Sequence, residues 1–455
     1  MKNKLYLLKN KLGIDGAIAF TSLSRIIQAA GGVVSIILVA SLLNGVEQGF
    51  YYTFASILAI QVFFELGLNG IIIQYVAHEV SHLSLTGNNY EGNKVNLSRV
   101  ASLLHFTVKW FSALAVFVFF LLLGVGFVFF NYFYKSEVVV DWHLPWVLLS
   151  VGTTLNFLIS PIIAFIEGLG KVKEIAKIRL IQQFVSLLLL WGGLAIGLKL
   201  YVGGISSIIG VFVLFFFIFK KYKIVLKNIY NQKITEKVSY KTEIFPLQWK
   251  IALSWIGGYF IFQLFNPVLF ATDGPIVAGQ MGMTLSLLNA VLALSFAWVS
   301  TKIPVFSGYI AQRDFLKLDK LFNKTFKQSS VVNFVAMTGM FLVIFCIRYL
   351  DVTLANKKLA NKFLAYLPLL FMMVSFYMNH IIGAWAVYLR CHKKEPMLVH
   401  SLTYGALSCA STVILGNYFG VIGITLGYCF ISSTFAIWAY FIFSMKKKQW
   451  HLDEK

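Results

Sequence analysis

The sequence predicts an all-α, polytopic membrane protein of twelve transmembrane helices, and three observations predict it. Hydrophobic residues fill 58% of the 455 positions and charged ones only 13%, with a mean hydropathy of +0.77, far from the composition of a soluble globule. Apolar stretches long enough to cross a hydrocarbon core of roughly 30 Å recur along the whole chain. Lys and Arg collect in alternate loops, the bias that orients membrane proteins.

Taken in order, spans are expected near 14–43, 51–77, 101–133, 145–169, 176–198 and 204–219, and after a polar interval near 250–271, 276–304, 329–349, 363–389, 398–416 and 421–444. The N-terminal MKNKLYLLKNKLGIDG is basic. The apolar run after it is too long for a signal-peptide core and ends in no small-residue cleavage site, so it reads as the first span. The polar interval KKYKIVLKNIYNQKITEKVSYKTEIFPLQWK is the most basic loop, with Lys220, Lys221, Lys223, Lys227, Lys233, Lys237, Lys241 and Lys250. It reads as a solvated cytoplasmic linker, or, at Ile244, Phe245, Leu247 and Trp249, as an interfacial amphipathic segment. The expected organisation is an N-terminal six-helix lobe (1–219), the linker (220–250) and a C-terminal six-helix lobe with a short cytoplasmic tail (251–455).

An even number of spans with both termini cytoplasmic tests the count. On that scheme only Lys135, Lys199, Arg348, Lys357, Lys358 and Lys362 fall outside, which makes 350–362 the one basic outer loop. Arg25 and Lys109 fall within spans. The net charge of +21 is accounted for by basic loops facing anionic lipid headgroups, and no nucleic-acid partner is expected. Cys346, Cys391, Cys409 and Cys429 show neither metal-ligand spacing nor a disulfide framework. The outer loops leave no room for a folded catalytic domain. Trp142 and Trp146, beside Asp141, read as an outer aromatic belt. The halves echo each other: Ile162-Ile163 before Lys171 matches Ile381-Ile382 before Arg390, and Gln48-Gly49 matches Gln280-Met281-Gly282, as transporter repeats do.

Two motifs point to enzyme chemistry. His78-Glu79-Val80-Ser81-His82 is an H-E-x-x-H, whose imidazoles at i and i+4 suit zinc and whose glutamate suits a general base. Asn266-Pro267 with Asp273-Gly274 resembles an element of site-2 proteases, but the expected topology sets Asp273 at the outer rim and the histidines at the cytoplasmic mouth. No metal is expected there. Gly168-Leu169-Gly170-Lys171 lacks the glycine spacing, the Ser or Thr and the preceding strand of a P-loop.

Ionisable residues inside spans are the informative ones, because charge in hydrocarbon is costly and normally faces an interior cavity. Arg25 lies about eight to eleven residues into the first span, roughly 12–16 Å deep, and Lys109 sits at similar depth in the third. Both are candidate binders of an anionic substrate. Glu65 is the nearest counter-ion, so a structural ion pair competes with that role. Glu167, Arg179 and Lys302 lie nearer helix ends, as vestibule residues or charge partners that snorkel. Asp273 reads as an outer turn residue, and His380 with Asn379 as a hydrogen-bonded core pair.

Three stretches, GVEQGFYYTFASILAIQVFFELGLNGIIIQY, FIEGLGKVKEIAKIRLIQQF and AGQMGMTLSLLNAVLALSFAWVSTKIPVFSGYIAQRDFLKLDKLF, resemble the polysaccharide flippases of the MOP exporter superfamily, relatives of the MATE multidrug antiporters and the lipid II flippase. The resemblance implies two six-helix lobes around a central cavity, with Arg25 first among the basic residues lining it. It implies a multi-pass transporter of the bacterial inner membrane, not an enzyme. Such a transporter moves undecaprenyl-pyrophosphate-linked oligosaccharide from the cytoplasmic to the outer leaflet for O-antigen, capsule or exopolysaccharide synthesis. Its expected partners are that lipid-linked substrate, membrane lipids, a coupling proton or sodium ion, and a polysaccharide polymerase and glycosyltransferases; no cofactor is expected. The alternatives are an ion-coupled multidrug or cation antiporter of the same fold, for which carboxylates would dominate the cavity, and a membrane-embedded zinc metalloprotease.

Overall fold

The structure, a computed structural model, describes residues 16–65, 67–135, 138–355, 357–392 and 394–453. In chain order it contains α1 (Gly16–Leu42), α2 (Gly45–Leu58), α3 (Leu68–Val80), the strands β1 (Leu83–Thr86) and β2 (Asn89–Gly92), then α4 (Lys94–Phe133), α5 (His143–Gly168), α6 (Val172–Ala195) and α7 (Tyr201–Tyr230). There follow α8 (Phe245–Phe262), α9 (Phe265–Thr272), α10 (Pro275–Ser300), α11 (Ile303–Ala311), α12 (Phe315–Tyr349), the strands β3 (Thr353–Leu354) and β4 (Lys357–Lys358), α13 (Tyr366–Cys391) and α14 (Leu398–Asp453). Short helical turns bridge α2 and α3, and Gly420, at φ 55° and ψ −143°, breaks α14 in two. With α2–α3, α8–α9 and α10–α11 each taken as one interrupted span and α14 as two, the described residues form twelve helical segments. The protein is all-α and polytopic, as its sequence predicts; the strands make only two isolated hairpins.

Several helices outrun their expected spans. α4 begins at Lys94 and α12 at Phe315, α7 continues to Tyr230, and the last segment reaches Asp453. Hydropathy ends a span where lysines begin, but lysine is a good helix former, so the helix continues past the hydrocarbon. The 220–250 interval is accordingly no free linker. Its first third completes α7, and the following residues lie along the start of α4, where Ser98 Oγ accepts from the Thr235 and Glu236 amides (2.8 and 2.9 Å) and Ser102 Oγ from Val238 (3.1 Å). A π-helical turn at Tyr240–Ile244 then leads into α8.

The described chain packs as two compact units, one from 16–31, 60–128 and 141–252, the other from 32–59, 129–140 and 253–453. In the first, one face of α5 (Phe157, Ala164, Phe165) packs with α3 and α4, while its other face (Ile159, Ile163, Ile166) packs with α6 and α7. Trp142 and Trp146 do not form an outer belt. Both are buried; Trp146 donates its Nε1 hydrogen to the Leu122 carbonyl (3.1 Å) and fills the space where a Cβ at Gly126 would sit.

In the second unit α2 crosses α10 at glycines. A Cβ on Gly49 would lie 2.0 Å from the Pro275 carbonyl oxygen, one on Gly279 2.8 Å from the Gly49 nitrogen, and one on Gly282 2.3 Å from Tyr52 Cβ. Lipid tails are as apolar as leucine, so helices in a bilayer associate through such close approach. The close approach also brings Gln48, beside Gly49, to the other helix: its Nε2 donates to the Gly279 carbonyl (2.7 Å). Asn44 and Glu47 form a reciprocal capping box at the start of α2.

The basic loop at 350–362 has a local cause for its lysines. Lys357 and Lys362 each donate at 2.6 Å to the carbonyls of Leu42 and Leu43 where α1 ends, the favourable place for cations on a helix dipole. Burial pushes the Lys362 amine down to about 8. Lys358 pairs with Asp351 (2.6 Å), and Arg348 donates to the Phe363 and Leu364 carbonyls over the Tyr366 ring.

The glycine crossing yields a direct test. Gly49→Ala should lower the melting temperature of the purified protein by several degrees, since overpacking costs about 1–3 kcal/mol. Gly70→Ala, where nothing lies within 4 Å, should leave it unchanged or raised in the same thermal-shift assay.

Candidate functional site

The sequence-predicted charges fall mostly in the first unit. Arg25 is on α1, and its side chain lies outside the described residues. Lys109 is exposed midway along α4, next to the exposed Trp110. Glu65 is half-buried at the interruption between α2 and α3 and accepts from Asn69 Nδ2 (2.6 Å), which also donates to Ser160 Oγ (3.1 Å). Arg179 reaches Glu167 at 3.3 Å. Lys302 is exposed in the second unit, at the N-cap of α11.

The H-E-x-x-H segment takes part in a different construction. Glu79 is buried, and its two carboxylate oxygens accept from Arg99 Nε (2.8 Å) and Asn96 Nδ2 (2.7 Å), while His78 is exposed. Arg99 Nη2 also donates to Glu243 Oε2 at 2.6 Å, and Tyr75 donates to the Glu243 carbonyl at 2.6 Å. A metalloprotease glutamate has to face a metal-bound water; this one is engaged by two donors. Among the described residues no cluster of three or more His, Cys, Asp or Glu is arranged to hold a metal. Arg99 instead ties the end of α3 and the start of α4 to the chain entering α8. Burial alone would raise the Glu243 carboxyl, but the hydrogen bonds from Arg99 and from the Ser239 amide outweigh it and hold the group below its usual 4.5.

The second unit holds a cavity of about 330 Å³. Its polar wall is Tyr52 and Ser56 from α2, Gln263 and Asn266 from the α8–α9 interruption, and Ser286 and Asn289 from α10; Ala55, Phe262, Gly282 and Leu285 complete it. The interruption follows from sequence, because Pro267 lacks an amide hydrogen to continue the α8 ladder. Asn266 Nδ2 donates to Ser56 Oγ (3.1 Å), and Asn266 Oδ1 is buried without a partner among the described residues. Asn289 is the fifteenth residue of the 26-residue α10, about 21 Å along it, which is mid-span. Transporter folds place binding sites at broken helices of this kind. A search for charges passes over this site because every polar group in it, among the described residues, is neutral; the legible signal was Gln263 and Asn266 three apart just before a proline in an apolar run.

The expected pairing of Asn379 with His380 does not occur. His380 Nε2 meets Ser329 Oγ (3.1 Å), whereas Asn379 bonds Tyr404 (3.0 Å) and Tyr428 (2.9 Å), because adjacent residues on a helix point to different faces. Asp273 occupies the exposed turn between α9 and α10.

Compared with solved structures, the chain matches a multidrug resistance MATE family transporter of the MOP superfamily in its inward-facing conformation with a TM-score of 0.62, covering 95% of this chain and 99% of that one at 13% identity. The fold is that of the MATE transporters. An outward-facing MATE structure matches at 0.57 over 96% and 97% of the two chains, with 13% identity. A MOP superfamily transporter from Pyrococcus furiosus, described as having a binding pocket of reverse polarity, matches at 0.54 over 96% and 97%, with 12% identity. No family model matches the sequence, and no curated protein matches it. At these identities the shared property is the MATE fold, a multi-pass membrane architecture.

The Arg99 clamp predicts two outcomes. Arg99→Ala should speed tryptic cleavage after the exposed Lys233 and Lys237 several-fold in native detergent-solubilised protein. Because the Glu243 carboxyl is depressed when folded, its stabilisation is present above its usual 4.5 and is lost as pH falls through the lower folded value. A nitroxide at Lys237→Cys should therefore gain mobility only below that pH.

Proposed function

We propose that this protein is a membrane transporter that moves an anionic lipid-linked glycan, an undecaprenyl-pyrophosphate-linked oligosaccharide, from the cytoplasmic to the outer leaflet for surface polysaccharide synthesis. The MATE fold supports transport as opposed to covalent catalysis. The observation that carries the choice of substrate is the cavity of the second unit, in which, among the described residues, neither a carboxylate nor any other ionisable acid lines the wall apart from the Tyr52 phenol. A cationic drug in a low-dielectric site needs a negative partner. The mid-span cations of the other unit, Arg25 and Lys109, suit a pyrophosphate instead, and arginine offers it a planar fork of donors. Glu167, Arg179 and Lys302 line the approach as vestibule charges on this reading. A polymerase and glycosyltransferases would act on the same lipid, on either side of the transport step.

One observation favours the antiporter reading. Glu65 is a half-buried carboxyl among polar neighbours in the interrupted second span, the kind of group that carries a coupling proton. For Arg25, a substrate-binding role and a purely structural pairing with Glu65 separate in a double variant. If Arg25 only neutralises Glu65, Arg25→Ala with Glu65→Gln should restore glycan export, since removing a whole buried pair is tolerated better than removing half. If Arg25 binds pyrophosphate, the double variant stays inactive, Arg25→Lys keeps part of the activity and Lys109→Ala lowers it at least several-fold, all at matched expression. Restored export in the double variant overturns the binding role.

The proposed orientation puts both termini and residues 220–250 in the cytoplasm. Cysteines placed at the exposed Lys233 and Lys358 should be labelled by an impermeant maleimide from opposite sides of the membrane. Labelling from one side overturns the topology.

A further inference from the structure

The wall of the second-unit cavity has a chemistry that fits one class of ligand. The carboxamides of Gln263, Asn266 and Asn289 and the hydroxyls of Ser56 and Ser286 all both donate and accept hydrogen bonds. A phosphate would call for a cation here and a drug cation for a carboxylate, and the wall supplies neither. Hydroxyls on a sugar ring need neither, because each also donates and accepts, the pattern these five side chains match.

The groups are also available. Gln263 and Asn289 make no side-chain hydrogen bond among the described residues, and the buried Asn266 Oδ1 lacks a donor. A buried acceptor left unpaired is costly, and a ligand hydroxyl relieves that cost. Asn266 is meanwhile fixed through Ser56, so this part of the wall is preorganised. Phe262 and Leu285 offer apolar surface to the C–H face of a ring. At 330 Å³ the space is near the lower end of the roughly 300–1,000 Å³ usual for small-molecule sites, which suits one ring more than a long chain.

We infer that this cavity, between α2, the α8–α9 interruption and α10, binds a neutral pyranose of the hexose or N-acetylhexosamine class carried by the transported lipid. The inference rests on the glycan-transport reading and extends it: the sugar is read by neutral amides in the second unit, through residues separate from the proposed pyrophosphate-binding cations.

The test measures binding to the purified full-length protein in nanodiscs of undecaprenyl pyrophosphate, either bare or carrying one glucose, galactose, N-acetylglucosamine or N-acetylgalactosamine. At least one glycosylated lipid should bind about tenfold more tightly than the bare lipid, the sum of one or two net hydrogen bonds. Gln263→Ala and Asn289→Ala should each bring that ratio down toward one, and Asn289→Ser serves if an alanine variant is not monodisperse. Equal binding of bare and glycosylated lipids, or a ratio unmoved by the variants, overturns the sugar site while leaving glycan transport standing. Binding of none of these lipids overturns both. Ethidium binding that is lost in the same variants overturns the inference in favour of a cation site.

Discussion

The close approach of α2 and α10 at Gly49, Gly279 and Gly282 is the constraint on which the second unit depends. In a bilayer no hydrophobic gain separates a helix packed on protein from one packed on lipid, so association rests on van der Waals fit and on bonds between backbones. With no Cβ in the way, the Gln48 amide reaches a carbonyl of the opposite helix. One and two turns further on, the same two helices present Tyr52 and Ser56, and Ser286 and Asn289, around the 330 Å³ cavity. The crossing thus positions a polar wall at mid-span.

Charge is used at the ends of helices instead. Arg99 bridges two carboxylates and so fixes the chain between α7 and α8 against α4. Lys357 and Lys362 cap the carbonyls at the end of α1, which gives the lysines of the 350–362 loop a local role. In both places the cation satisfies hydrogen-bonding groups that would otherwise be orphaned near hydrocarbon, where an unsatisfied group costs several kcal/mol. A basic residue in a loop therefore has two meanings here, an orienting charge or a helix cap, and only its partners tell them apart.

The interrupted helices link fold to function. Pro267 ends α8, and Gln263 and Asn266 stand at the gap; Gly420 divides α14 at a conformation that suits glycine. Breaks of this kind free backbone and side-chain polar groups at membrane depth, which is tolerated where they are covered by protein or face a polar cavity. The MATE fold supplies the scaffold, and the residues at the α8–α9 break supply part of the polar wall of the cavity.

Composition and hydropathy by themselves determined the class of this protein, the twelve segments and the polar interval between two apolar halves, because a hydrocarbon slab of fixed thickness leaves a helix few choices of length and polarity. The break near residue 420 was legible for the same reason. Helix ends were not, since Arg99, Lys227 and Lys446 lie beyond a hydropathy window but inside a helix. Only the tertiary structure decided that Glu79 accepts from Arg99 and Asn96, that Trp142 and Trp146 are buried, and that four neutral polar residues from three separate stretches, Ser56, Gln263, Asn266 and Asn289, line one cavity. Partners of this kind are far apart in sequence and carry no charge to betray them. Their meeting depends on which faces of which helices come close, and that was settled by the glycines.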